Sequence, residues 1–186
     1  GRPATYAIFL AGFCGKSANS SLTGTPLRLS FVSRSDSTLR GHYPLEPDTI
    51  AATVAAVSGE VTDGVVIVPA FPDAGRVTIG GVHFMRGTGE DDGKLTPVAE
   101  TEFARDASFG FANSELARYV EEKSQGRFPA ASVIVLTLDV IRAAGPDGDP
   151  QVSAKAIADA IDAATGTLVV PEEPLHSPSP ISLPPS

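Results

Sequence analysis

The residues from 35 to 41 are the most concentrated polar segment beside an apolar run, and they hold groups able to bind a small polar ligand. Asp36 can accept a hydrogen bond from a hydroxyl group, and the guanidinium of Arg40 can donate two parallel bonds to a carboxylate. Three further groups could donate to the same ligand: Ser37, Thr38 and the backbone amide of Gly41. An ordinary surface loop with an ion pair would use the same residue types, so the spacing leaves both interpretations open.

A second loop, residues 69–76, follows a β-branched run and contains an aspartate, a glycine and Arg76. If the strands before the two loops are neighbours, Arg40 and Arg76 flank one crevice. Two arginines gathered there in a chain of net charge −8 favour an anionic ligand. A turn with a solvated arginine explains the second loop equally well.

Other candidates carry weaker signals. His83 follows a glycine pair, and a lone histidine in a short strand is most often structural. Arg105 and Asp106 are either a structural pair or a third wall of the site. Residues 15–17, Gly-Lys-Ser, invite comparison with a phosphate-binding loop, but that loop needs a glycine where this chain has Leu10. Nucleotide binding through this segment is the weakest alternative.

Strands and helices that alternate along the chain would hold these loops. The predicted strands are residues 6–11, 27–33, 64–68, 131–138 and 167–170, with a short strand at 82–85 that begins a hairpin. The predicted helices begin at residues 47, 114, 139 and 152, and loops are predicted at 34–41 and 71–81. This alternation predicts an α/β fold, a layered and mostly parallel sheet with flanking helices. Since ligands bind where parallel strands end, Asp36, Arg40 and Arg76 are expected at one edge of the sheet.

Two details of the predicted helices follow from residue type. Ser114 is expected to be an N-cap, because its hydroxyl can accept a bond from a free backbone N–H. In the last predicted helix, five residues that recur at helical spacing are expected to face the core: Val152, Ala156, Ile157, Ala160 and Ile161.

The composition bounds the class of protein. The chain has 186 residues, a net charge of −8 and a pI of about 4.8, which argue against general nucleic-acid binding. It has one cysteine, so an intrachain disulfide is impossible and a metal site built on cysteines is not expected. No apolar run reaches the roughly 18 residues of a membrane span, and no signal peptide is recognised, so a cytoplasmic setting is expected. Residues 171–186 contain six of the sixteen prolines and are predicted to be a disordered tail.

Three segments together resemble the N-terminal, substrate-binding domain of the four-carbon acid sugar kinases. They are Arg-Ser-Asp-Ser-Thr-Leu-Arg-Gly at 34–41, Val-Pro-Ala-Phe-Pro-Asp-Ala-Gly-Arg-Val-Thr-Ile-Gly-Gly at 68–81, and Leu-Thr-Pro-Val-Ala-Glu-Thr-Glu-Phe-Ala-Arg-Asp at 95–106 followed by Phe-Gly-Phe at 109–111. The resemblance covers about residues 27–170. It implies an enzyme family that phosphorylates tetronates such as erythronate, threonate and 3-oxo-tetronate with ATP.

The resemblance also implies roles for single residues. Asp36 would bind a substrate hydroxyl and is the candidate catalytic residue, while Arg40 and Arg76 would hold the carboxylate. Ser37, Thr38 and Gly41 would complete the substrate site, with His83, Arg105 and Asp106 as second-tier members. ATP and Mg would bind a separate C-terminal nucleotide-binding domain, which would be the partner of this one.

The chain departs from the family pattern at both ends. The family's Ala-Asp-Asp-x-Thr-Gly motif is absent, and the proline-rich tail stands where the nucleotide-binding domain would begin. The expected organisation is a divergent segment at 1–26, a sugar-acid-binding domain at 27–170 and a tail at 171–186. Such a substrate-binding half is expected to be inactive alone. The alternative is a non-catalytic sugar-acid-binding module or a decayed fragment, and neither the particular tetronate nor the oligomeric state follows from the sequence.

Overall fold

The computed structural model describes residues 6–11, 32–59, 61–62, 64–145, 148–162 and 169–171. The Gly-Lys-Ser segment at 15–17, the beginning of the predicted strand at 27–33 and the tail after residue 171 lie outside the described residues.

Two sheets make up the β-structure of the described residues. The eight strands are β1 Tyr6–Ala11, β2 Val32–Ser35, β3 Gly64–Val68, β4 Arg76–Ile79, β5 Val82–Arg86, β6 Leu95–Pro97, β7 Ile134–Leu136 and β8 Val169–Pro171. The larger sheet is parallel throughout and has the order β2-β1-β3-β8-β7. The smaller sheet is antiparallel, with the order β4-β5-β6. The α/β fold with a mostly parallel sheet is therefore confirmed. Because β1 lies between β2 and β3, the sheet of the predicted domain at 27–170 also includes residues 6–11.

Between the strands, the described ranges contain four α-helices: α1 Leu45–Ser58, α2 Leu116–Lys123, α3 Leu138–Ile141 and α4 Pro150–Asp162. The first helix begins two residues before the predicted Pro47. Pro47 fits its first turn because the N–H that proline lacks would have no partner there. The helix ends where predicted, at Gly59, which has φ of 72° and donates its N–H to the Ala55 carbonyl at 2.9 Å.

Two segments predicted as loops are partly strands. β2 continues to Ser35, since Ser35 pairs with Ala11 at the end of β1. Residues 76–79 form β4, which pairs with β5 from Arg76 opposite Met85 to Ile79 opposite Val82. The hairpin predicted to begin at residues 82–85 is present as β5 and β6.

Two predictions about helix residues are wrong. Ser114 does not cap α2, because Glu115 is the N-cap residue and the Ser114 hydroxyl instead accepts the Ala99 N–H at 2.8 Å. Val152 does not face inward: it lies in the first turn of α4 and its residue is 50% exposed.

The core packs α2 against β3 of the larger sheet, which contributes Ile67. Leu116, Tyr119 and Val120 give α2 the apolar face that the sequence predicts, and each is at most 1% exposed. The other buried members of this cluster are Leu39, Tyr43, Ile67, Val98, Ala104 and Phe111. Leu39 belongs to the polar segment at 35–41, so the candidate binding loop is anchored in the core through its apolar residue.

None of the helices in the described part of the chain is long and apolar enough to cross a membrane.

Candidate functional site

The residues from 36 to 41, here called the site loop, leave the larger sheet where β2 ends. The Asp36 N–H donates to the Arg40 carbonyl at 3.2 Å, and the Leu39 N–H donates to the Asp36 carbonyl at 3.0 Å. The Asp36 carboxylate also accepts the Thr38 N–H at 3.0 Å, a local turn that aspartate favours. The loop is therefore a closed turn with its own hydrogen bonds.

The guanidinium of Arg40 lies at the centre of the site. Its Nε donates to the Asp36 carboxylate at 2.9 Å and to the Thr38 hydroxyl at 3.0 Å, and Nη2 donates to the same Asp36 oxygen. On its other side, Nη1 is 3.8 Å from the Asp106 carboxylate, and Cζ lies 4.8 Å from the centre of the Phe103 ring. The fold thus brings Asp36, Arg40 and Asp106 together, although 66 positions separate Arg40 from Asp106.

Both carboxylates of this cluster have low pKa values. Burial acts to raise the pKa of Asp36, but hydrogen bonds from Thr38 and Arg40 and the positive charge of Arg40 outweigh it and lower the pKa. The pKa of Asp106 is lowered mainly by the Phe109 and Ser108 N–H groups, which its carboxylate accepts at 2.9 and 2.8 Å. Two ionised carboxylates around one guanidinium leave a net charge of about −1, which suits the acceptance of hydroxyl groups.

His83 connects the smaller sheet to the site loop. It is fully buried, with Nε2 2.7 Å from the Ser37 carbonyl and Nδ1 3.0 Å from the Thr78 hydroxyl. A carbonyl oxygen can only accept, so Nε2 carries the hydrogen and Nδ1 accepts from Thr78. Burial, opposed by the Ser37 bond and assisted by the charge of Arg76, lowers the pKa of His83 to about 4. The ring is therefore neutral and holds the loop backbone in place.

Arg76 begins β4, after the turn that follows β3. Its Nη1 donates to the Ala74 carbonyl at 2.6 Å, while its Nε is buried and has no hydrogen-bond partner among the described residues. β2 and β3 both run parallel to β1 and end beside it, at Ser35 opposite Ala11 and at Val68 opposite Leu10. The loops that carry Arg40 and Arg76 consequently leave the same edge of the sheet.

The remaining candidates differ in accessibility. Ser37 and Thr38 are buried, at 9% and 1% exposure, and the Thr38 hydroxyl accepts a bond from Arg40 within the loop. Gly41 packs closely on Ser35, and Arg105 is exposed at the end of a short turn, Glu102–Arg105. The structure therefore clusters Asp36, Arg40 and Asp106 and sets Arg105 on the surface.

An open cavity of about 500 Å³ lies beside α1, and no sequence pattern indicates it. Its lining residues come from β2, from the position after the site loop and from α1: Ser33, His42, Leu45, Glu46, Thr49 and Ile50. The Ser33 hydroxyl donates to the Glu46 carboxylate on its wall. This volume falls in the range of small-molecule sites. Ser33 and Glu46 went unnoticed because each stands alone in the sequence, 13 positions apart.

No group of three or more His, Cys, Asp and Glu side chains that could hold a metal ion occurs in the described ranges.

The fold defines a small α/β domain with a polar cluster at the edge of its larger sheet. The family model described as "Sugar-binding N-terminal domain" matches residues 16–172, and the chain belongs to this family. The resemblance inferred from the three motifs is thereby confirmed.

The other comparisons add one structure. No curated protein matches the chain significantly. The crystal structure of Haemophilus influenzae protein HI1011, of family DUF1537, is similar at 19% identity and a TM-score of 0.46. The similarity covers 75% of this chain and 29% of that protein, so the chain spans less than a third of its length.

Replacing Tyr119 with phenylalanine should destabilise the domain by about 1 to 2 kcal/mol, because the Tyr119 hydroxyl donates to the buried Leu39 carbonyl at 3.0 Å. Urea unfolding measures this change. Tyr119→Leu should cost more, since it also removes the ring contacts with Tyr43 and Phe111. Equal midpoints for wild type and Tyr119→Phe would show that the bond to Leu39 contributes nothing.

Proposed function

We propose that the chain binds a four-carbon sugar acid at the edge where β2 and β3 end, as the substrate-binding domain of a four-carbon acid sugar kinase. The observation that carries this proposal is the cluster of Asp36, Arg40 and Asp106, which unites two motif segments distant in sequence. Membership in a family of sugar-binding domains supports it.

In this proposal the ionised Asp36 accepts a hydrogen bond from a substrate hydroxyl. Its low pKa suits the role of hydrogen-bond acceptor and not that of general base. A general base works best when its pKa lies near the working pH. Arg40 and Arg76 are the two candidates at this edge for the positive charge that the carboxylate requires. The site loop adds backbone groups at Ser37, Thr38 and Gly41, and His83, Arg105 and Asp106 are second-tier members.

The kinase activity belongs to a longer protein in this proposal. ATP supplies the phosphoryl group and Mg neutralises its charge when both are bound, and a nucleotide-binding domain of that protein would hold them. The described residues contribute the binding and orientation of the acceptor sugar acid. A cytoplasmic setting is part of the same proposal.

Calorimetric titration of the chain with threonate, erythronate and ATP tests the proposal. We expect saturable binding of at least one tetronate, and no comparable binding of sodium acetate, which has a carboxylate but no hydroxyl groups. Asp36→Asn should weaken tetronate binding, because an amide is a poorer hydrogen-bond acceptor than a carboxylate. If neither tetronate binds to the folded wild-type chain, the proposed function is wrong.

A further inference from the structure

The structure assigns different roles to the two arginines at the sheet edge: we propose that Arg76 receives the anionic group of the ligand, whereas Arg40 is an internal support of the site loop. This inference rests on the proposed function and specifies which residue selects for charge.

The positive charge of Arg40 is compensated within the protein by two carboxylates, those of Asp36 and Asp106. Two of its nitrogens donate to Asp36, one of these also donates to Thr38, and the third faces Asp106 at 3.8 Å. One face of its guanidinium is covered by the Phe103 ring. A ligand carboxylate that approached Arg40 would meet the negative charges of Asp36 and Asp106 on either side of the guanidinium.

The positive charge of Arg76, unlike that of Arg40, is not compensated by a carboxylate among the described residues. Across the part of the chain that the structure describes, no carboxylate forms an ion pair with it, and its one hydrogen bond goes to the neutral Ala74 carbonyl. Its Nε is enclosed and without a partner among those residues. A partly buried guanidinium with unused donors is costly, and an anionic ligand would relieve that cost.

Hydrogen bonds fix the backbone at Arg76 before a ligand arrives. The Phe71 N–H donates to the Arg76 carbonyl at 2.8 Å, and the Arg76 N–H donates to the Phe71 carbonyl at 3.0 Å. Gly75 has φ of 76° and packs against Arg86, where an added Cβ would lie 3.3 Å from the Arg86 Cβ. This fixed turn reduces the ordering cost of binding.

The hairpin also couples Arg76 to the site loop. β4 places Thr78 opposite His83 on β5, and His83 contacts the Ser37 carbonyl. The charge of Arg76 also acts on this ring, since it contributes to the lowered pKa of His83.

The test compares a charged ligand with its neutral counterpart. Threonate is titrated into wild type, Arg76→Gln and Arg40→Gln, and threitol, which lacks the carboxylate, is titrated in parallel. Erythronate and erythritol are the matched pair if erythronate is the ligand that binds. Urea unfolding of each variant reports its stability.

We expect Arg76→Gln to lower tetronate affinity about 10- to 100-fold, the loss of a charge-assisted bond, with affinity for the neutral polyol and the unfolding midpoint unchanged. Arg76→Lys should recover part of the tetronate affinity. Arg40→Gln should lower the unfolding midpoint. It should also lower the affinities for the charged and the neutral ligand by similar factors.

The outcomes separate the two proposals. If wild type binds neither tetronate, the proposed function fails. If wild type binds a tetronate and Arg76→Gln retains its affinity, the function stands and the assignment to Arg76 is overturned. Unfolding of Arg76→Gln would likewise overturn it, because Arg76 would then be structural. If a stable Arg40→Gln variant loses affinity for the tetronate and keeps its affinity for the neutral polyol, Arg40 is the residue that binds the anionic group and the assignment is wrong.

Discussion

Replacing His83 with alanine is expected to destabilise the domain by roughly 3 to 5 kcal/mol, from two lost hydrogen bonds and a cavity. The side chain is fully buried and bonded at both ring nitrogens, to Thr78 and to the Ser37 carbonyl. Its removal leaves both partners without their bond to the ring. Urea unfolding at neutral pH measures the loss.

The same residue predicts a pH dependence of stability. The pKa of His83 is lowered from 6.5 to about 4 by burial, so the unfolded chain binds the proton first as the pH falls. The stabilising contribution of neutral His83 is therefore complete above pH 6.5 and is lost progressively between about pH 6.5 and 4. Unfolding free energies measured across this range should fall accordingly.

His83→Gln is the matched control. Its amide can donate to the Ser37 carbonyl in place of Nε2 but does not bind a proton in this range. We expect it to restore part of the stability lost in His83→Ala and to reduce the fall between pH 6.5 and 5. If both variants show the wild-type pH profile, the neutral buried histidine is not its origin.

Replacing Gly41 with alanine should destabilise the domain by about 2 kcal/mol and should weaken tetronate binding. An added Cβ would lie 3.2 Å from the Ser35 Cβ and would overlap the Ser35 hydroxyl oxygen. That hydroxyl donates to the Arg40 carbonyl at 2.8 Å, so the serine can move aside only by giving up a bond that holds the site loop.

A double-mutant cycle with Ser35→Ala tests this cause. Because that substitution removes the overlapping oxygen, Gly41→Ala should cost less in the Ser35→Ala background than in wild type. Gly89→Ala is a control, since an added Cβ there meets nothing within 4 Å. Strict additivity of the changes at Gly41 and Ser35 would refute the proposed overlap.

The sequence predicts most of the parallel sheet because its signals are local. The run Val65-Val66-Ile67-Val68 is β-branched and bounded by a glycine and a proline, so β3 is recognisable without any distant contact. β4 was missed because its four residues lie between glycines and gain their strand character from pairing with β5.

The sequence predicts which residues form the candidate site, but it does not predict which of them contact each other. Asp36 and Arg40 are four positions apart, so the sequence alone predicts that they lie close together. The contact of Arg40 with Asp106 and that of His83 with Ser37 join residues far apart in the chain, and they depend on how the two sheets pack. The partner of each arginine, which separates their proposed roles, therefore required the structure.

The strand order has a consequence for how the protein is made. β8, the last of the described strands, lies between β3 and β7, which come earlier in the chain. Until the ribosome has released residues 169–171, β3 and β7 lack this shared neighbour and present unpaired edges, which favour aggregation. Translation must thus pass residue 171 before the sheet can close, and an expression boundary placed before residue 169 would remove an interior strand.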